Sequence, residues 1–224
     1  MNAESFAKDG YASAPGVLSG PECDLAASQI RLADPGAGGT RCLLDQTWCA
    51  ALAARLRIHS ALAVALAPDL VAVQCNYFEK SLGRNWLVPI HQDLSIAVAR
   101  RVNDPALGGW SEKEGVLYVR PPLAVLRQLV AVRVHLDRCG AEDGPLRVVP
   151  GSHQRGLIAD KDAIASRVAG LEVTCLAGKG DALVMRPLLL HASSKGSGEG
   201  RRRVLHFVYG PFELPCGLEW NVAV

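Results

Sequence analysis

His91-Gln92-Asp93 sets an imidazole and a carboxylate two residues apart. On an extended chain, residues i and i+2 point to one face, so both side chains project together while Gln92 turns away. They form a pair of nitrogen and oxygen donors for a metal. A third donor must come from elsewhere, and His191 closes an apolar run just before the polar turn 192–200. Two histidines and one carboxylate that leave several coordination positions open are the ligand set of non-haem Fe(II) oxygenases. H-x-D alone is a common pattern, and a lone histidine before a strand is more often a satisfied structural residue. The basic run Arg201-Arg202-Arg203 adds weight to the metal reading. It follows a Ser/Gly-rich stretch that reads as a hairpin loop, so the strand entered at Arg201 is expected to run back beside the one ending at His191. One arginine would then stand beside the metal. A guanidinium holds a carboxylate through two parallel hydrogen bonds, which suits a dicarboxylate chelating iron at its other end. The other reading of the three arginines is a solvated charged edge.

Elements must position these residues. Helical patterns are concentrated in about 20–60, where Pro21-Glu22 opens a stretch through Leu32 and Asp45 is placed to cap a helix carrying Trp48, Leu52 and Leu56. From residue 71 the pattern changes to short β-branched runs at 71–78, 87–99, 129–136, 146–149, 170–175, 182–191 and 204–209, separated by Gly, Pro, Ser and Asp. Such strands predict a mainly β sandwich or barrel with helices packed outside. One helical insertion is expected at 160–169, with Ile164 and Val168 four apart. Residues 103–122, rich in Gly, Pro and charge, read as a long lid or binding loop.

Composition narrows the class. The chain has 224 residues, 49% of them hydrophobic, and a formal charge of +2, which favours one globular domain over 1–224 and gives no footprint for nucleic acid. No apolar run is long enough to span a membrane, and the N-terminus lacks the pattern of a signal peptide, so a cytoplasmic protein is expected. Seven cysteines without CxxC spacing argue against a disulfide framework and a thiolate zinc site.

Several motifs then fall in a recognisable order. Phe6-Ala7-Lys8-Asp9-Gly10-Tyr11, Pro15-Gly16-Val17-Leu18-Ser19 and Glu22-Cys23 resemble the N-terminal pattern of the phytanoyl-CoA dioxygenase family of Fe(II)- and 2-oxoglutarate-dependent oxygenases. His91-Gln92-Asp93 is similar to their H-x-D. Leu136-Asp137 and Gly144-Pro145-Leu146-Arg147-Val148-Val149-Pro150-Gly151-Ser152-His153, followed by Gly156, resemble their LDxxxxxxGPLxVxPGSHxxG segment. His191, Ser193 and Arg202 fit their final histidine, serine and arginine, over a resemblance spanning roughly 6–211.

The resemblance implies a double-stranded β-helix, or jelly-roll, core with flanking helices and iron held by His91, Asp93 and His191. It implies 2-oxoglutarate chelating that iron, with its far carboxylate on Arg202 and Ser193, and O2 as the third cofactor. Gln74 and Asn76 match positions lining the cosubstrate pocket in some members; on a strand they share one face, and Val71, Val73, Cys75 and Tyr77 take the other. Because Asp93 is a carboxylate where related halogenases carry a small residue, oxygenation is favoured over halogenation. The implied reaction is hydroxylation, or another oxidation, of a small-molecule substrate, with 2-oxoglutarate converted to succinate and CO2. The alternative is a cupin-like protein that binds metal and 2-oxoglutarate without turnover. A demethylase acting on nucleic acid or protein is disfavoured by the small net charge.

Tyr77, Lys80, Arg84, Trp86, Trp110 and Arg127 lie near the expected mouth in sequence order and are candidates for substrate contact. His153 belongs to a turn motif, His59 reads as structural, and Arg133, His135 and His206 are candidates for lining the barrel. Oligomeric state is not encoded in any of these patterns.

Overall fold

Short β-branched runs bury their apolar faces only by pairing and stacking, and here they pair antiparallel throughout. The computed structural model describes residues 2–32, 34, 36–41, 43–169 and 172–224. Its largest sheet has the order β1 (Tyr11–Ala14), β11 (Ala182–Met185), β8 (Val130–His135), β13 (Arg202–Pro211), β3 (Leu70–Lys80) and β2 (Gly39–Thr40). A second sheet runs β10 (Val173–Cys175), β9 (Leu146–Val148), β12 (His191–Ser193) and β4 (Val88–His91). The third joins β5 (Ile96–Val98), β7 (Val116–Arg120) and β6 (Gly108–Lys113). Strands distant in sequence are neighbours in space, as β13 between β3 and β8 illustrates. This is the jelly roll expected.

Alternation sorts the side chains of the large sheet. Leu205, Phe207 and Tyr209 on β13, with Val130, Val132 and Val134 on β8, enter a core shared with α2 (Gly20–Gln29) and α3 (Thr47–Arg57). Each such side chain contributes about 1.5–3 kcal/mol of burial, and the Tyr209 hydroxyl also donates to the Ala53 carbonyl at 2.9 Å. The intervening Arg202, His206 and Val208 face a cavity between the sheets. Three further helices, α1 (Ala3–Asp9), α4 (Leu123–Gln128) and α5 (Asp160–Val168), complete the α-helices among the described residues.

Several expectations need correction. Run 87–99 is two strands in different sheets, β4 and β5, because residues 92–95 leave the ladder. Run 182–191 also divides, and His191 begins β12 rather than ending β11. Consequently 193–200 is no hairpin: β12 pairs with β4 and β9, whereas β13 pairs with β3 and β8. Segment 103–122 is not a structureless loop but contains the β6–β7 hairpin, with Glu114 at φ 53 in its turn. Gln46, not Asp45, holds the N-cap position of α3, without a side-chain cap, since Asp45 is taken up in a 3-10 turn. The helix read through Leu32 ends at Gln29 and starts from a Ser19/Glu22 capping box. In α5 it is Ala163 that is buried, while Ile164 is exposed. Residues 170 and 171 of run 170–175, and Cys42, lie outside the described residues.

Candidate metal centre

Pairing of β12 with β4 sets His191 directly opposite His91, so two neighbouring strands hold their imidazoles 4.2 Å apart between ring centres. Both rings are anchored alike. His91 Nδ1 lies 2.9 Å from the Pro89 carbonyl, and His191 Nδ1 lies 2.8 Å from the Leu189 carbonyl. A carbonyl only accepts, so each Nδ1 carries the donated proton and each Nε2 keeps its lone pair when the ring is neutral. Both Nε2 atoms face Asp93, with His91 3.6 Å from Oδ1 and His191 3.6 Å from Oδ2. These separations exceed hydrogen-bond length. The three donor atoms lie within 4.8 Å of one another, a cluster that fits a shared cation.

Asp93 lies beyond the end of β4, where its N–H donates to the Pro187 carbonyl at 2.9 Å. Gln92, turned the other way as the spacing predicts, is the peg of this turn. Its amide donates to the carbonyls of Gly156 (2.8 Å) and Leu188 (2.6 Å) and accepts from the Ile158 N–H (2.9 Å). Burial lowers the His191 imidazole to about 4 even though Asp93 opposes it. Burial also pushes on Asp93, upward, but His191, His91 and His206 hold its carboxyl well below the usual range. For His91, burial pulls down while Asp93 and the carbonyl at Pro89 win and raise it. An ionised carboxylate beside imidazoles whose second nitrogens are already anchored is the donor set a divalent metal requires.

The cluster opens on a cavity of about 500 Å³. Gln74, Asn76, Ser193 and Arg202 line it, and the Gln74 amide donates to Asn76 Oδ1 at 2.9 Å. Arg202 is 3% exposed and donates to the Gly144 carbonyl. Its neighbours face outward, where Arg201 pairs with Glu79 (2.9 Å) and Arg203 with Asp137 (2.7 Å). Gly144, at φ +63, passes so close to the next loop that an added Cβ would meet the Ser194 carbonyl oxygen at 2.5 Å.

Over residues 6–204 the chain matches the description of the phytanoyl-CoA dioxygenase (PhyH) family. It belongs to that family. As a PhyH protein it is an Fe(II)/2-oxoglutarate-dependent dioxygenase, an oxidoreductase with iron, 2-oxoglutarate and O2 as cofactors. Solved structures of similar fold include HygX from Streptomyces hygroscopicus with nickel and 2-oxoglutarate bound, at 20% identity and TM-score 0.62 over 94% of this chain and 87% of that one. AviO1 from Streptomyces viridochromogenes Tue57 shares 23% identity, at TM-score 0.65 over 95% of each chain. SnoK, a non-heme alpha ketoglutarate dependent carbocyclase from nogalamycin biosynthesis, shares 16% identity, at TM-score 0.62 over 93% of this chain and 82% of that one. No curated protein is detectably similar.

Around the mouth, the PhyH chain keeps only part of the set read from sequence order. Trp86 lines the cavity and packs against Gly38, where an added Cβ would meet its ring at 2.5 Å. Lys80 does not line the cavity: it is buried, donates to Ser193 Oγ (2.8 Å) and the Ser194 carbonyl (2.6 Å), and stands 5.6 Å from the Trp86 ring centre. Tyr77 faces the helices and donates to Glu79 at 2.7 Å, so it is no mouth residue. Arg84 pairs with Glu79 at 3.0 Å, Trp110 takes Arg101 over its ring at 4.7 Å, and Arg127 sits in the last turn of α4; none of the three lines the cavity. Val73 does line it, against expectation, because the pairing of β3 and β13 shifts register there and a bulge turns it inward. Sequence reading passed over Arg41, Tyr118 and Trp220, which also form the walls. Tyr118 alone carried a signal, lying in the segment singled out as a binding loop. His153, against the Ala7 carbonyl at 3.1 Å, serves the turn, and His59 caps a 3-10 turn through Ala61 N–H.

Proposed function

We propose that this PhyH protein oxidises an unactivated C–H bond of a small organic molecule, by hydroxylation, as it converts 2-oxoglutarate and O2 to succinate and CO2. The observation that carries the reading is the His91, Asp93, His191 cluster, with both Nε2 atoms aimed at one carboxylate and both Nδ1 atoms anchored on carbonyls. In this assignment those three residues hold iron. Arg202 and Ser193 receive the far carboxylate of 2-oxoglutarate, and Gln74 and Asn76 line the same pocket. Bound iron and cosubstrate supply the oxidising chemistry; the protein supplies position and a shielded cavity. Arg202 is suited to its part because it is buried, inward-facing and charged at every physiological pH. Ser193 lines the cavity, and the ammonium of Lys80 fixes its hydroxyl oxygen at 2.8 Å.

Trp86, Tyr118 and Trp220 supply aromatic walls for the substrate. The HygX structure with hygromycin B bound supports a small-molecule substrate for this fold. We place the enzyme in the cytoplasm as one domain over 1–224: no described helix is long and apolar enough to cross a membrane, and five buried cysteines are unpaired among the described residues. The test is anaerobic addition of Fe(II) and 2-oxoglutarate, which should produce a visible charge-transfer band that His91→Ala or Asp93→Ala removes. A band unchanged by either substitution would refute the ligand assignment. Metabolites that stimulate succinate release from the native enzyme then identify the substrate.

A further inference from the structure

Arg133 is a charge that the proposed iron and cosubstrate sites do not use. It projects inward from β8, is 7% exposed, and joins the walls of the cavity with Asp93, His206 and Arg202. One terminal nitrogen meets His206 Nδ1 at 3.1 Å, while its Nε is buried without a partner. Its guanidinium carbon stands 5.7 Å from the centre of the Phe78 ring. Arginine only donates, so His206 Nδ1 accepts and the ring is the neutral tautomer with its proton on Nε2. That contact fixes the guanidinium in place without balancing its charge.

Balance is not available elsewhere on the walls. Asp93 is the one carboxylate among the described residues that line the cavity, and in the assignment above it belongs to iron. Formal charges of Fe(II), Asp93, the 2-oxoglutarate dianion and Arg202 cancel, which leaves Arg133 as an excess positive charge in a shielded space. Two further wall cations differ: Arg41 has Glu114 at 2.8 Å, and Lys113 is exposed to solvent over the Tyr118 ring. An uncompensated buried cation disfavours folding, and a ligand anion removes that penalty.

We propose that Arg133, held by His206, is a second carboxylate-binding residue of this cavity, separate from Arg202 and beside the metal cluster. The inference rests on the assignment of His91, Asp93 and His191 to iron. His206 Nε2 is 3.9 Å from Asp93 Oδ2, so a carboxylate on Arg133 belongs to a molecule bound next to the metal. It has two sources, the metal-proximal end of 2-oxoglutarate or an acidic substrate, and the charge count favours the substrate.

The test uses full-length protein loaded with Fe(II) under anaerobic conditions. 2-Oxoglutarate is titrated while the visible band and the binding heat are followed, and the resulting complex is then titrated with benzoate and with neutral benzamide. If the cosubstrate is the source, Arg133→Gln raises the 2-oxoglutarate concentration at half-saturation by at least about tenfold. If the substrate is the source, that value holds and the variant loses the preference for benzoate over benzamide that the native complex shows. A half-saturation value within about twofold of native, with no benzoate preference in the native protein or an equal one in both, overturns the inference. Thermal unfolding of ligand-free Arg133→Met gives a readout independent of binding. Its midpoint should hold or rise once the unpaired charge is gone, and a fall would make Arg133 structural and overturn the inference as well. His91→Ala and Arg202→Gln are the controls. Loss of the band in His91→Ala, and weakened 2-oxoglutarate binding in Arg202→Gln, with no change in either titration for Arg133→Gln, fails the second site alone. Retention of the band in His91→Ala fails the iron assignment beneath it.

Discussion

Arg201, Arg202 and Arg203 have the same chemistry, so their roles follow from which way each position faces. The outer two spend their charge on Glu79 and Asp137, and the middle one is buried against the Gly144 carbonyl with its charge unspent. Charge-assisted hydrogen bonds to a carboxylate contribute about 1.5–3 kcal/mol, a factor of about 10–150 in binding. Arg202→Ala should therefore raise the 2-oxoglutarate requirement at least about tenfold, and Arg201→Ala and Arg203→Ala should leave it within about twofold. Equal effects across the three variants in a succinate-release titration would remove Arg202 from its role. Lys80 gives a prediction with a sign. Burial, then Arg202 and Arg133, bring its ammonium down to about 7, against an ordinary lysine value of about 10.4. From about 7 to about 10 the unfolded chain then binds a proton that the folded chain has released, so this residue's contribution makes stability rise with pH across that window. Urea unfolding at a series of pH values should show that the rise is smaller in Lys80→Met; equal slopes in both proteins would mean that Lys80 stays charged.

At the scale of elements, the site depends less on strands than on where they stop. β4 ends at His91, and Asp93 is set by the turn that Gln92 pegs to three backbone groups. Gln92→Leu would leave two carbonyls and one N–H unpaired near the core. At about 1 kcal/mol or more for each unsatisfied group, the loss is about 3 kcal/mol, or a midpoint lowered by about 6–12 °C in a chain of this size. Calorimetry checks the stability, and Fe(II) affinity should weaken with it because Asp93 moves; a variant that melts like native would show that the peg is dispensable. The existence of these elements was legible where both faces are buried, as in β8 and β13, since those read as largely apolar, β-branched runs with only an arginine or histidine interrupting them. Their partners were not. A jelly roll pairs distant strands, so nothing local at 192–200 distinguishes a hairpin from a crossover between sheets. Polar Gly108–Lys113 hid a strand for a related reason: most of β6 is not fully buried and carries little apolar alternation. One bulge was enough to turn Val73 inward, because a single inserted residue reverses which face a side chain meets. That His91, Asp93, His191 and Arg202 stand around one cavity was readable because donor chemistry and motif spacing single them out without knowledge of the pairing. Tyr77, Lys80, Arg84, Trp110 and Arg127 were misplaced because nearness in sequence to the mouth says nothing of which face a residue takes.

For the whole molecule, a net charge of +2 is an average over unlike regions. Arg201 and Arg203 are matched by acids outside the barrel, while Arg202 and Arg133 stand inside with Asp93 as the only carboxylate among the described cavity walls. The cavity therefore exists as an electrostatic feature only when the sheets are assembled. His91 and Asp93 come from one end of β4, His191 from β12 and Arg202 from β13, and unfolding separates them along more than a hundred residues of chain. A ligand that needs all of them binds the folded state alone and stabilises it by mass action. With Ni(II) and 2-oxoglutarate at about 100 times their dissociation constants the gain is about 2.7 kcal/mol, which raises the unfolding midpoint by about 5–10 °C in a chain of this length. The native protein should show that shift, larger with both ligands than with Ni(II) alone. Asp93→Ala and His191→Ala should lose it entirely, because two remaining donors no longer enclose the ion, whereas Arg202→Ala should keep the Ni(II) part and lose the increment from 2-oxoglutarate. Should Asp93→Ala shift as far as native, metal binding would lie elsewhere on the fold, and the oxidation chemistry assigned to this cavity would fall with it.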